Sequence, residues 1–236
     1  MAAHGSGRIG PLAVGLSLAV AALTQAGCAA SRSDLEGGFH GSAPAGVRAD
    51  AVTVAFIFTH THQSKGWDVV PKVDAPNRFA NGFYDLFRDA LPELSNIESY
   101  ATFTDRADDV TDPSRRALRD SLTTGSHDYV IHMRFVRETS FARLALGTLA
   151  STVTLTLLPV PYGRHYSVSV DVTDRSGESV KRYERTATVT QWIQTLLVFV
   201  YPFHPEARKT EEVYLEFLHD VFREIEADRI LRVGMG

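Results

Sequence analysis

Val52-Thr53-Val54-Ala55-Phe56-Ile57-Phe58 decides how this chain folds. It is apolar at odd and even positions alike, rich in β-branched and aromatic residues, and too short for a helix. Such a run is a strand covered on both faces, and so belongs in the middle of a sheet. Outward from it, Phe79, Phe83, Leu86, Phe87 and Ala90 recur at helical spacing, with Asp74 and Pro76 as start signals and Pro92 as a break. A strand is expected over 97–103. Asp112-Pro113 opens a second helix with an N-cap and a first-turn proline, and Gly125 closes it. A third strand follows over 129–136. Val168, Val170 and Val172 alternate with polar residues, the chain turns at Asp174-Arg175-Ser176-Gly177, and a mate follows over 180–189. A last amphipathic helix spans 206–229, with Val213, Phe217, Val221 and Ile225 on one side. The order predicts a mixed α/β (α+β) fold: three parallel strands from two βαβ units plus an antiparallel hairpin, with helices packed on the sheet.

Towards the amino terminus, Arg8 precedes the apolar run from Pro11 to Leu23, and small residues lead to Cys28. The run is shorter than the roughly 20 apolar residues a spanning helix needs, and it reads as an export signal over 1–27. Leu23-Thr24-Gln25-Ala26-Gly27-Cys28 resembles the lipobox of bacterial lipoproteins cut by signal peptidase II, with Gln25 where that pattern carries an aliphatic residue. The resemblance implies a diacylglycerol thioether and an acylated amino group on Cys28, and Ala29 after it implies the periplasmic face of the outer membrane. Cys28 is the only cysteine, so no intrachain disulfide holds the fold. Residues 28–50, rich in Ala, Ser, Gly and Arg without apolar periodicity, are expected as a lipidated flexible tether, and 51–236 as a single periplasmic domain. The run from Leu118 to Val136, in which a helix gives way at Gly125 to His127-Asp128-Tyr129-Val130, is similar to the periplasmic α/β domains of the TolB amino-terminal, LpoB and CsgG type. That likeness implies a role in envelope assembly or binding.

Charge excludes one class of partner. The chain carries 24 Lys+Arg and 28 Asp+Glu; residues 1–27 hold only Arg8 among them, leaving 23 against 28 afterwards, or −5. With no basic run and no basic–aromatic interleaving, nucleic acid is not expected to bind. Catalytic signals are equally absent. There is no Gly-x-Ser-x-Gly elbow and no phosphate loop, and adjacent carboxylates such as Asp108-Asp109 splay apart.

Two places remain for function. His60-Thr61-His62 follows the first strand, where both imidazoles of an extended segment point the same way and Asp68 or Asp105 would supply an oxygen. The spacing is unspecific, so a solvated loop is the first expectation and a metal or small-ligand site the alternative. The apolar stretches 144–162 and 192–203 flank the hairpin and emerge at one end of the sheet. They are expected chiefly as core, with Val153, Leu155 and Leu157 alternating with threonines as an extra strand. Where they reach the surface, Tyr162, Trp192, Tyr201 and Phe203 are the candidate anchors for a membrane or a protein. The sequence reading is therefore a non-enzymatic envelope lipoprotein with no cofactor beyond the lipid on Cys28, whose partners are the bilayer and another envelope protein.

Overall fold

In the computed structural model, which describes residues 30–41, 50–74, 82–153, 160–193 and 206–232, the strand that starts at Val52 runs on through the histidines. Val52–Lys65 (β2) is longer than the apolar run because Tyr129–Ser140 (β5) pairs with it in parallel from Val54↔Tyr129 to Lys65↔Ser140. Two strands share its other edge. Ile97–Thr104 (β4) lies parallel to its first half, and the two-residue strand Lys72–Val73 (β3) lies antiparallel at Thr61 and His62. Beyond β5 the sheet continues antiparallel through Val160–Asp174 (β6) and Ser179–Ile193 (β7), and ends in Ser31–Arg32 (β1). Among the described residues this is one seven-stranded mixed sheet.

Helices cover the two faces unequally. Phe83–Ala90 (α1) and the long Glu206–Asp228 (α4) pack on one face, burying Val54, Phe56 and Phe58 of β2, Ile131 and Met133 of β5, Val168 and Val170 of β6, and Phe217, Val221 and Phe222 of α4. Every second residue of each strand contributes, as the pleat requires. On the other face Ala55, Ile57, Phe103 and Val130 form a small cluster against Leu122 of Pro113–Thr123 (α2). No residue of α2 is buried, so its end chemistry matters. The Asp112 carboxylate accepts hydrogen bonds from the backbone N–H groups of Ser114 (2.9 Å) and Arg115 (3.3 Å). Asp112→Ala is expected to lower the urea midpoint and to speed amide exchange confined to 113–123. The turn between β6 and β7 forms as the sequence predicts: the Asp174 carboxylate accepts from the N–H groups of Ser176 and Glu178, and Gly177 takes a positive φ of 84°.

Two expectations are corrected. The tether is not free over 30–41. Ser31 and Arg32 pair with Thr190 and Val189, the Ser33 N–H donates to Thr188 O (2.8 Å), and the Glu36 N–H donates to Thr186 O (2.9 Å). An uncapped β7 would leave a row of backbone groups without partners, and a segment needs no apolar periodicity to satisfy them. Residues 42–49 and Cys28 lie outside the described residues. The second correction concerns 144–162. Its first part, expected as core, is a helix, Phe141–Val153 (α3), on which Leu146 and Leu149 are exposed, and its Ala and Leu content favours that helix. Val153 closes that helix, and the remainder of the strand expected through Leu155 and Leu157 lies outside the described residues.

Candidate functional site

His60 and His62 stand on β2, not in a solvated loop, and on the same face of it. His60 is sealed in the core at 3% exposure. Phe135 stacks on its ring at 4.9 Å between centroids, Phe83 meets it edge-on at 4.6 Å, and Tyr214 lies beyond at 5.9 Å. Its Nε2 has no hydrogen-bond partner among the described residues. Burial pulls its pKa down to about 4 against a weaker opposing pull from the Asp74 carboxylate. Asp74 is itself bonded to the Arg137 guanidinium at 2.9 Å.

The oxygen ligands expected for the histidine pair are engaged elsewhere. The Asp68 carboxylate accepts from the Ser64 N–H (2.9 Å) and pairs with Lys72 (2.7 Å), which hold its pKa below the usual carboxylate range. Asp105 sits on the opposite face of the sheet, where it accepts from the Thr59 hydroxyl and lies 3.3 Å from Arg119. Among the described residues no group of three His, Cys, Asp or Glu is placed to hold a metal ion.

That opposite face carries a junction that the sequence did not single out. The Thr59 hydroxyl donates to Asp105 (2.5 Å) and lies 2.9 Å from His132 Nε2, so the imidazole donates to the hydroxyl and carries its proton on Nε2. Burial lowers the pKa of His132. A hydroxyl that donates to a carboxylate and accepts from an imidazole has both roles filled. The trio ties β2 to β5 and to the residue that follows β4, and presents no nucleophile.

The hairpin end is where the apolar surface collects. Tyr201 and Phe203 lie outside the described residues. Trp192 pairs with Pro161 and Tyr162 with Gln191, so Tyr162 and Trp192 point to opposite faces of the hairpin and do not form one contact surface. Trp192 is 42% exposed; Tyr162 is half-buried, its hydroxyl 3.5 Å from that of Thr148. Larger apolar groups stand beside them. After β2, the turn at 66–71 holds Trp67 (69% exposed), Val69 (94%) and Val70 out to solvent. After β5, the first residue of α3, Phe141, meets the Trp67 ring at 4.9 Å, and Leu146 and Leu149 of α3 are about two-thirds exposed. The register Lys65↔Ser140 brings the turn and the helix to the same end. Gly66 at φ +90° and Asp68 between apolar residues were the readable signs of a fixed turn there.

Comparison with known proteins assigns no family. No family model matches the chain, and no curated protein matches it. Among solved structures it is similar to a PelC dodecamer from Paraburkholderia phytofirmans, with a TM-score of 0.32 at 12% identity over 84% of this chain and 99% of that one. A point variant of that PelC gives 0.28 at 12% identity over the same shares. These values describe a loose likeness, and the fold class rests on the strand pairing given above.

Proposed function

We propose that this chain is an envelope lipoprotein, cut before Cys28, acylated there, and held on the periplasmic face of the outer membrane as a non-enzymatic binding or assembly factor. One observation carries the reading: the only cysteine follows Ala26-Gly27 at the end of a short apolar run behind Arg8. Ser31, three residues after Cys28, already pairs at the sheet edge, which suits a folded body hung directly from its anchor. We read β2–α1–β4 and β4–α2–β5 as two βαβ units, the scaffold the envelope-domain resemblance implies. A single acyl chain gives reversible binding, whereas three would make attachment effectively permanent. Cys28→Ala is therefore expected to move the protein from the membrane pellet to the soluble or uncleaved fraction and to abolish incorporation of labelled palmitate. Unchanged membrane attachment and labelling in that variant would overturn the reading. Crosslinking in cells, with the same variant as control, identifies the protein partner.

A second reading, a small-ligand or metal site reaching His60 and His62, rests on the unpartnered Nε2 of His60. It predicts stoichiometric zinc in untagged protein, lost when both histidines are replaced. Metal-free protein without zinc affinity retires its metal form.

A further inference from the structure

We propose that the end of the sheet bearing Trp67, Val69, Val70, Phe141, Leu146 and Leu149 rests on the bilayer, with these side chains at the boundary between headgroups and acyl chains. The orientation deepens the lipoprotein reading and rests on it; the contact surface itself rests on three observations of the fold.

The first is α3. Its sequence, Phe141-Ala142-Arg143-Leu144-Ala145-Leu146-Gly147-Thr148-Leu149-Ala150, is apolar nearly all round, and a helix of that kind belongs in apolar surroundings. Yet Phe141, Ala145, Leu146, Leu149 and Ala150 are exposed, and among the α3 residues whose burial is described only the backbone of Gly147 is buried. The second is the turn beside it, which holds apolar groups outward by a built polar frame. The N–H groups of Trp67 and Asp68 donate to Ser64 O, the Asp68 carboxylate takes the Ser64 N–H, and Lys72 closes the loop. An indole held this way over Phe141 has the amphipathic character that favours a water–lipid boundary.

The third observation is where the chain comes from. β1 runs antiparallel to β7, and Ser31 pairs with Thr190, so stepping back from Ser31 leads along β7 towards Trp192 and Ile193. Those residues pair with Pro161 and Val160, beyond the level of Thr139 and Arg164, at the end of the sheet where β2 and β5 also finish. Cys28 lies two residues before Ala30, a reach of about 7 Å. The anchor and the apolar surface are thus on the same end. The carboxylates set there do not oppose contact with anionic headgroups, since Asp68 is paired with Lys72, Asp74 with Arg137, and Glu138 with Lys65.

The test uses Trp192→Phe, which leaves Trp67 as the only tryptophan. The membrane-extracted, full-length mature protein is reconstituted into phosphatidylethanolamine–phosphatidylglycerol vesicles with or without brominated phosphatidylcholine. Trp67 emission is expected to shift to the blue and to be quenched by the brominated lipid. Leu146→Glu with Leu149→Glu, both at exposed positions, is expected to abolish the quenching while the unfolding transition is kept. In a Cys28→Ser background the same pair is expected to lower vesicle partitioning about tenfold per leucine. Equal Trp67 emission in ordinary and brominated vesicles overturns the proposal. So does a blue-shifted Trp67 without lipid: concentration dependence would assign the surface to a second copy, and concentration independence to a segment of this chain. The mass of the Cys28 peptide, read on the same sample, separates the two claims. A lipidated Cys28 without quenching refutes the surface and leaves the anchor, while quenching with a free Cys28 thiol supports the surface and refutes the anchor.

Discussion

Arg185→Ala is expected to lower stability by about 3–5 kcal/mol, the largest single-residue loss anticipated outside the aromatic core. Arg185 is buried on β7 beneath α4. Its Nε donates to Asp220 (2.5 Å), its Nη2 to Glu224 and its Nη1 to the Glu184 carbonyl (2.9 Å). Removing the guanidinium leaves two carboxylates one helical turn apart and largely shielded from water. Asp220 keeps the Phe39 N–H (2.8 Å), and Lys181 remains 4.0 Å from Glu224, too little to replace a charge in contact with both. The loss reaches the amino-terminal segment as well. Gly37, at φ +79°, crosses β7 so closely that a Cβ there would stand 3.0 Å from Glu184 O, and Phe39 hangs on the Asp220 carboxylate that Arg185 positions. Faster amide exchange over 33–39 should therefore accompany the lower urea midpoint. Arg185→Lys, which keeps the charge but not the fork, is expected to lose an intermediate amount. A loss under about 1 kcal/mol for Arg185→Ala would mean that the cluster behaves as a solvated surface group and that this account of the sheet edge is wrong.

The second large effect is acid lability that begins near neutrality. His60 is neutral in the fold because its pKa falls from the ordinary 6.5 to about 4. The unfolded chain takes up a proton below pH 6.5 that the folded chain refuses, so stability is complete above 6.5 and is lost as the pH falls towards 4. The loss amounts to about 3 kcal/mol across that window. His132, its pKa also lowered by burial, adds to the loss in the same direction. Carboxylates held below their ordinary range, such as Glu93 beside Arg223 and Asp174 in its turn, are fully stabilising above the ordinary carboxylate range and fail only as the pH drops through and below it. The interval between 6.5 and 4 therefore isolates the histidines. His60→Phe, which keeps an aromatic ring against Phe135 and Phe83, is expected to flatten the slope there. An unchanged slope would assign the lability to another group.

What the sequence makes legible here is what local pattern encodes. The two-faced apolar run of β2, the Asp112-Pro113 cap and the Asp174–Gly177 turn each depend on a few neighbouring residues, and each is found where the pattern places it. The ordering of 30–41 is illegible for a physical reason: it depends on backbone groups at an open edge, which accept any side chains. His60 misleads because a His-Thr-His triplet reads as polar, whereas register against β5 carries β2 seven residues past Phe58 and the pleat turns His60 onto the core face. Thr152 and Val153 read as the start of a strand alternation, whereas α3 runs through both of them. At the hairpin end, the apolar stretch that contains most of α3 and the aromatic, proline-rich setting of Trp192 are legible in the sequence. The place of Trp67 beside Phe141 is not, because it follows only from the pairing of β2 with β5.

The most direct measurement is the mass of the amino-terminal peptide of protein extracted from membranes. The account predicts that it begins at Cys28 and carries a diacylglycerol thioether together with an amide-linked acyl chain. A peptide that begins elsewhere, or a free thiol on Cys28, contradicts it.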